Sequence, residues 1–279
     1  LDRIDAHQHF WRYRPEEYGW MAGAGLEPIR RDFLPEDLEP ELRAAGIAGA
    51  VSVQARQTLD ETAWLLDLAG RHAFLRGVVG WVPLADPGAA GALERFAGRT
   101  KLKGVRHLLQ DEPDDDYMLR PDFNAGVGRL HRCQLAYDIL IFERHLPQTV
   151  RFVDRHPNQV FVLDHIAKPR IRERALSPWR ENVAELAKRG NVYCKLSGMA
   201  TEADWQTWRP EDLRPYFDTV LEAFGPKRLM FGSDWPVLLL AGAYQGWHAV
   251  AAEMISALSS SERAWIMGGA AEEAYRLTQ

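Results

Sequence analysis

The sequence predicts an α/β fold: a (β/α)8 TIM-type barrel forming a single domain over residues 1–279. Three observations predict it. Eight short apolar runs recur along the chain, near-continuously hydrophobic in the manner of parallel strands buried on both faces. Helical stretches alternate with them, which is the pattern of βα units, and a count of eight favours closure. An open doubly wound sheet would instead place a glycine-rich nucleotide loop after the first strand, where this chain has His7-Gln8-His9-Phe10-Trp11.

The first strand is expected over Ile4–His9. The polar segment Arg12–Arg31 follows, and its Pro15, Gly19, Gly23, Gly25 and Pro28 mark a long loop suited to cover a barrel mouth. After the second strand, Gly49–Gln54, Thr58-Leu59-Asp60-Glu61 has capping-box spacing ahead of Ala63, Leu66 and Ala69. The third and fourth strands are expected over Leu75–Val82 and Leu102–Leu108, and Asp111–Asp116, with five acidic residues in six positions, reads as a solvated loop. The fifth and sixth, Ala136–Phe142 and Gln159–His165, precede Ser177-Pro178, an N-cap with proline at the first helical position. Trp179, Val183, Leu186 and Ala187 then form an apolar stripe. The seventh and eighth strands are Asn191–Ser197 and Arg228–Ser233. Between them Leu213, Phe217, Val220 and Leu221 line a helix stopped by Gly225-Pro226, and Ser259-Ser260-Ser261-Glu262 opens a last helix.

A chain of this length buries a sizeable core without disulfides or a structural metal. Its 46% hydrophobic and 26% charged residues are those of an ordinary globular protein. A net charge of −5 and the lack of any Lys/Arg run argue against nucleic acid or an anionic membrane as partner. No apolar stretch approaches the roughly 20 residues of a membrane span. The N-terminus lacks signal-peptide features, so a cytoplasmic location is expected, with Cys133 and Cys194 as reduced packing residues. Homo-oligomerisation is left open, since nothing in the sequence marks an interface.

In a barrel of this kind the chemistry sits at the carboxyl ends of the strands. Those ends carry His7 and His9; Gln54; Arg106 and His107; Glu143; Asp164, His165 and Lys168; Lys195 and Ser197; and Asp234. Strand alternation puts His7 and His9 on one face. It sends Arg106 and His107 to opposite faces, without saying which of them meets the mouth. Two imidazoles in one mouth suit a divalent metal or a hydroxylated substrate. Asp234 has a competing reading as a turn cap, and Lys168 as an ion-pair partner of Asp164. So many polar ends converging on one face would be costly to bury without a purpose.

The runs Ile4-Asp5-Ala6-His7-Gln8-His9-Phe10-Trp11, Gly104-Val105-Arg106-His107, Leu163-Asp164-His165-Ile166-Ala167-Lys168-Pro169 and Phe231-Gly232-Ser233-Asp234-Trp235-Pro236 resemble the amidohydrolase superfamily, and within it the branch of sugar-lactone hydrolases. The resemblance covers essentially the whole chain in order and implies that the barrel is distorted. It implies hydrolysis of a small aldonolactone, for example of a deoxy sugar such as L-fucose or L-rhamnose, by water attack. It implies Asp234 as general base, His7, His9 and His165 as groups that bind the substrate or polarise its carbonyl, and Arg106, His107 and Lys168 beside the developing oxyanion. Trp11 and Trp235 would wall the pocket, with Gln54 and Glu143 as further substrate contacts.

Relatives with two metals use a carbamylated lysine on a middle strand and two further histidines. The fifth strand here ends Asp138-Ile139-Leu140-Ile141-Phe142-Glu143, with neither, so a binuclear centre is not expected. His7, His9 and Asp234 can still hold one zinc with an open position. The expectation is that no cofactor is required and that zinc binds weakly in the same site. Two rivals remain: a zinc-dependent decarboxylase or hydrolase of an aromatic or dicarboxylate ring compound on the same fold, for which Arg106 alone is a thin arginine cluster, and a catalytically inactive sugar-binding barrel.

Overall fold

The structure is a computed structural model and describes residues 1–277. All eight expected strands are present, each shorter than the apolar run that announces it: β1 (Ile4–Gln8), β2 (Gly49–Val53), β3 (Leu75–Gly80), β4 (Leu102–His107), β5 (Ala136–Ile139), β6 (Phe161–Leu163), β7 (Val192–Leu196) and β8 (Leu229–Phe231). They are parallel and ordered β1 through β8 in one sheet. The helices are α1 (Pro35–Ala44), α2 (Leu59–Arg71), α3 (Ala89–Glu94), α4 (Pro121–Leu130), α5 (Leu146–Asp154), α6 (Trp179–Ala187), α7 (Met199–Glu202), α8 (Pro210–Phe224), α9 (Tyr244–Met254), α10 (Ser260–Ala264) and α11 (Ala270–Tyr275).

The sheet closes at its carboxyl end rather than along its length. Gln8 bridges Trp235, the His9 amide donates to the Trp235 carbonyl at 2.7 Å, and the Asp234 amide donates to the His7 carbonyl at 2.8 Å. Asp5 reinforces the seam. Its buried carboxylate accepts from the amides of His7 (3.1 Å) and Ser233 (2.9 Å) and from the Tyr244 hydroxyl (3.0 Å). Burial pushes its carboxyl up to about 6 even so.

Two cores follow from strand alternation. Ala50, Val78, Val105, Tyr137, Phe161 and Leu229 pack against the helical layer. Ile4, Ala6, Val51, Val53, Val79, Ala136, Val162 and Met230, one or two from nearly every strand, fill the barrel interior together with Ala270, Ala271, Ala274 and Tyr275 of α11. The last helix therefore plugs the amino-terminal end of the barrel. Close approach makes this docking exact: a Cβ on Gly268, in the π-helical turn Trp265–Gly269, would stand 1.9 Å from the Asp2 carbonyl oxygen.

Capping signals fold with two adjustments. Thr58 accepts from the Glu61 amide as an N-cap does, but the Glu61 carboxylate turns away from the cap to accept from the amides of Ala55 (3.1 Å) and Arg56 (2.8 Å). The α6 helix begins at Trp179, with Pro178 as N-cap, and the Ser177 hydroxyl donates to Glu181. Ser259 and Glu262 form the expected reciprocal cap. Cys194 is buried as expected, whereas Cys133 is exposed. Among the described residues no helix is long and apolar enough to cross a membrane.

Gly268→Ala forces backbone against backbone and lowers stability by about 2 kcal/mol, read as a fall in Tm of roughly 4–8 °C for a chain of this size. Gly70→Ala, in α2 with nothing within 4 Å of the new methyl group, instead leaves Tm unchanged or raises it through helix propensity.

Candidate active site

The site is assembled where β1 and β8 close. Plain alternation would put Asp5, His7 and His9 on one face, but the β1–β2 register shifts between Asp5 and Gln8. The irregularity turns Asp5 outward to Tyr244 and brings His7 and His9 together over the barrel interior, their Nε2 atoms 3.1 Å apart. Irregularities of this kind re-aim side chains at barrel rims. Gln8, between them, is fully buried with no hydrogen-bond partner for its amide.

Asp234 faces both histidines from the end of β8 in a left-handed backbone conformation (φ 57°). Its Oδ1 lies 3.3 Å from His9 Nε2, 3.7 Å from His7 Nε2 and 3.9 Å from His165 Nε2. His165 opens a run of four non-glycine residues, His165 to Lys168, with φ between 48° and 63°. A β-branched residue such as Ile166 takes that conformation only when its surroundings impose it. Here the buried Trp179 indole donates to the Ile166 carbonyl at 2.7 Å, and the Lys168 amide closes the turn on the His165 carbonyl at 2.8 Å. Gly198 (φ 65°) makes room for the ring, since a Cβ there would lie 2.6 Å from His165 Nδ1. Ser197 Oγ, 2.8 Å from that nitrogen, sets the ring orientation.

Beneath these groups lies a wholly buried ionic network. Lys195 Nζ is 2.6 Å from Asp138 Oδ2, 2.9 Å from Asp164 Oδ1 and 3.0 Å from His7 Nδ1. Asp164 Oδ2 accepts from Arg106 Nη1 at 2.8 Å, and Arg106 also donates to the side-chain and main-chain oxygens of Gln54. The Tyr275 hydroxyl reaches Asp138 at 2.7 Å, so α11 contributes to the network from below.

Electrostatics follow from burial and from these partners. Burial alone would raise the Asp234 carboxyl, but the imidazoles of His165, His9 and His7 outweigh it and hold the group well below the usual range. Burial lowers His165 to about 4 against the opposing pull of Asp234 and Asp164. It lowers His7 strongly too, with the Lys195 charge adding to the effect. At neutral pH the site therefore holds an ionised Asp234 beside uncharged His7 and His165 rings. Asp164 is also ionised, because the Lys195 and Arg106 charges overcome its burial.

The remaining candidates separate into those near the cluster and those that support it. Arg106 points into the interior, which answers the alternation question, but Asp164 and Gln54 take up its guanidinium. Gln54 is fully buried in the same contact and donates to the Arg56 carbonyl at 3.1 Å. His107 turns to the loop layer: it stacks on Tyr117, accepts from the Trp81 indole at 3.3 Å and meets Glu112 at 2.6 Å. Glu143 pairs with Arg170 at 2.7 Å. Lys168 makes no ion pair among the described residues and lies 5.5 Å over the Phe142 ring. Trp11 is completely buried, its indole donating to the carbonyls of Ile29 and Arg31, and Trp235 is buried against Phe10 and Phe33. Both tryptophans thus fix the Arg12–Arg31 segment and the rim rather than offering an open face.

Sequence reading gave Lys195 and Ser197 no role beyond hydrogen bonding to substrate, read Asp164 only as a partner for Lys168, and overlooked Asp138 and Glu202. Glu202, on α7, is raised by burial, with Lys168 acting against this and Asp234 adding to it. The acidic loop is also less passive than its composition implies, since Asp115 meets His145 at 2.8 Å and Arg144 at 3.2 Å, and Glu112 holds His107. A lysine inside an apolar strand and an acid on a short helical turn carry no spacing signal; only the barrel's closure makes them neighbours.

The donor atoms of His7, His9 and Asp234 fit one metal ion. Tetrahedral zinc with ligands at about 2.0–2.1 Å holds them roughly 3.3 Å apart, and the three separations here are 3.1, 3.3 and 3.7 Å. His7, Asp164 and His165 form a second cluster of potential ligands.

Comparison with known proteins agrees with this architecture. The family model described as Amidohydrolase matches residues 4–277. An L-fucono-1,5-lactonase of Burkholderia multivorans is 45% identical over 99% of this chain and 97% of its own length. An L-fucono-1,5-lactonase of Burkholderia ambifaria is 40% identical over 99% and 96%. A crystal structure of an amidohydrolase from Burkholderia multivorans with bound zinc superposes with a TM-score of 0.95 at 45% identity, covering 100% of both chains. With the family model spanning nearly every residue and the histidine–aspartate cluster seated where β1 and β8 close, this chain belongs to the amidohydrolase family.

Proposed function

We propose that this protein is a lactonase that opens a sugar lactone to the aldonic acid, with L-fucono-1,5-lactone, the substrate named for its relatives, as the first candidate. The observation that carries the reading is the buried Asp234 carboxylate, ringed by the Nε2 atoms of three histidines at 3.3–3.9 Å, in a chain closely similar to two lactonases.

The reaction follows from the residues. A water held against Asp234 attacks the lactone carbonyl carbon while its proton passes to the carboxylate. The tetrahedral oxyanion is stabilised by N–H donors of the histidine cluster and by the Lys168 ammonium, whose charge reaches His165. The ring C–O bond then breaks, and the departing alkoxide takes the proton back from Asp234. Ser197 and Gly198 keep the His165 ring in place through this exchange. Arg106, Gln54 and His107 act by holding the rim and Asp164, not by direct contact. Zinc bound by His7, His9 and Asp234 would supply a Lewis acid for the carbonyl, but a lactone is an activated ester and the protein groups suffice, so the proposed reaction is metal-independent.

The arginine-lined carboxylate pocket that a dicarboxylate-ring decarboxylase needs is not favoured, because Asp164 and Gln54 already occupy the one buried arginine of the site, Arg106.

Three outcomes are expected. Asp234→Asn lowers kcat/KM for the lactone by about 10²–10⁴-fold while lactone binding and Tm persist; an unchanged rate would leave only a binding role for the cluster. Acid release from a panel of sugar 1,4- and 1,5-lactones continues after exhaustive chelation, whereas loss of turnover restored by zinc would overturn the metal-free assignment. Because burial lowers His165 to about 4, its uncharged form persists into acid. Turnover therefore stays level from about pH 8 to about pH 5 and falls only as the ring protonates below that; a midpoint near the ordinary histidine value would contradict the buried, uncharged ring.

A further inference from the structure

We propose that Lys195 is a positioning residue that fixes the proton of His7 on Nε2, making the His7–His9–Asp234 cluster complete without a metal ion. The argument is a count of donors and acceptors. His9 Nδ1 lies 2.9 Å from the Val53 carbonyl oxygen, which only accepts, so His9 carries its proton on Nδ1 and turns a bare lone pair on Nε2 into the cluster. Asp234 Oδ1 offers only lone pairs as well. Two acceptors 3.3 Å apart repel unless a proton or a cation stands between them. His7 Nε2, 3.1 Å from one and 3.7 Å from the other, is the group placed to supply it.

Which nitrogen of His7 is protonated is decided on its far side. Lys195 has donors only, and its Nζ is 3.0 Å from His7 Nδ1. That nitrogen is therefore the acceptor and Nε2 carries the hydrogen. The alternative, Nδ1–H donating to Asp164, finds the carboxylate oxygen at 3.4 Å, farther than Lys195 Nζ at 3.0 Å and already held by that ammonium at 2.9 Å. The two arrangements are distinct states of one cluster. In the first, Lys195 caps Nδ1 and the His7 Nε2–H donates to His9 Nε2 at 3.1 Å beside Asp234. In the second, the proton moves to Nδ1, Asp164 accepts it, and Nε2 becomes a metal ligand, with the carboxylate behind the ring in the usual outer-shell position. Lys195 biases the pair towards the first. The tautomer stands without reference to any substrate; only its consequence, a His7 N–H aimed at the lactone carbonyl, rests on the proposed reaction.

The test is ¹⁵N NMR of chelator-treated, histidine-labelled protein, with His7 assigned by the signals missing from His7→Gln. The expected spectrum shows His7 protonated at Nε2 and bare at Nδ1, and Lys195→Arg, which keeps a donor, preserves it. In Lys195→Met the proton moves to Nδ1, and zinc affinity measured by chelator competition rises about tenfold or more, the scale of outer-shell effects on metal sites. The spectrum of the unsubstituted protein decides the matter even if Lys195→Met does not fold. A proton on His7 Nδ1 there, or a Lys195→Met spectrum with the tautomer unchanged, overturns the proposal. Neither result depends on lactone turnover, so failure of the proposed reaction is read separately.

Discussion

The position of Lys195 is the constraint on which the rest of the site depends. The interior of a barrel is ordinarily filled with branched aliphatic side chains, and the lower half of this one is. Its upper half instead holds Lys195, Arg106, Asp138 and Asp164, all buried. Isolated charges there would be untenable, and a buried pair is tolerated only when its remaining donors and acceptors are satisfied. Lys195 meets that condition by touching three elements at once, Asp138 on β5, Asp164 after β6 and His7 on β1. Asp138 in turn receives Tyr275 from α11. The helix that seals one end of the barrel is thus three contacts away from His7 at the other.

The network makes sense of the distortions around it. Strand β1 slips its register after Asp5, the sheet is joined at the top by the Gln8–Trp235 bridge, and His165 sits in a left-handed turn. These irregularities shape the rim on which the central cluster is assembled. Each is restrained from outside: Asp5 by Tyr244, the left-handed turn by the Trp179 indole, the His165 ring by Ser197 and Gly198. Strain of order 1–3 kcal/mol per residue in such conformations persists only under this kind of restraint.

The contrast between what the sequence revealed and what it hid has the same origin. Buried parallel strands announce themselves by composition, so all eight were legible, and Thr58 and Ser259 announced their helices by capping chemistry. The cluster of His7, His9, His165 and Asp234 was legible because its residues stand at strand ends. Roles that depend on orientation were not. Strict alternation gave no warning of the slip after Asp5, and Trp11 and Trp235 look like pocket walls until the rim folds over them. Arg106 looks like an oxyanion donor until Asp164 is seen to hold it. Lys195 was hidden most completely, since one polar residue in Val192–Leu196 reads as an interruption of an apolar strand, and its three partners are 31 to 188 positions away in the chain.

One fold can therefore accommodate metal-assisted and metal-free chemistry without moving a ligand. The separations among His7, His9 and Asp234 suit zinc, and the 3.1 Å between the two Nε2 atoms suits equally well one N–H donated from His7 to His9. What selects between them is the far side of one imidazole, where a carboxylate favours the metal and an ammonium the proton. Asp164 and Lys195 supply both, within 3.4 Å of the same nitrogen. A site built this way holds an ionised Asp234 beside uncharged His7 and His165 rings, with the proton of His7 fixed before substrate arrives. For an activated ester such as a lactone, that preorganised polarity is the main thing the protein has to provide.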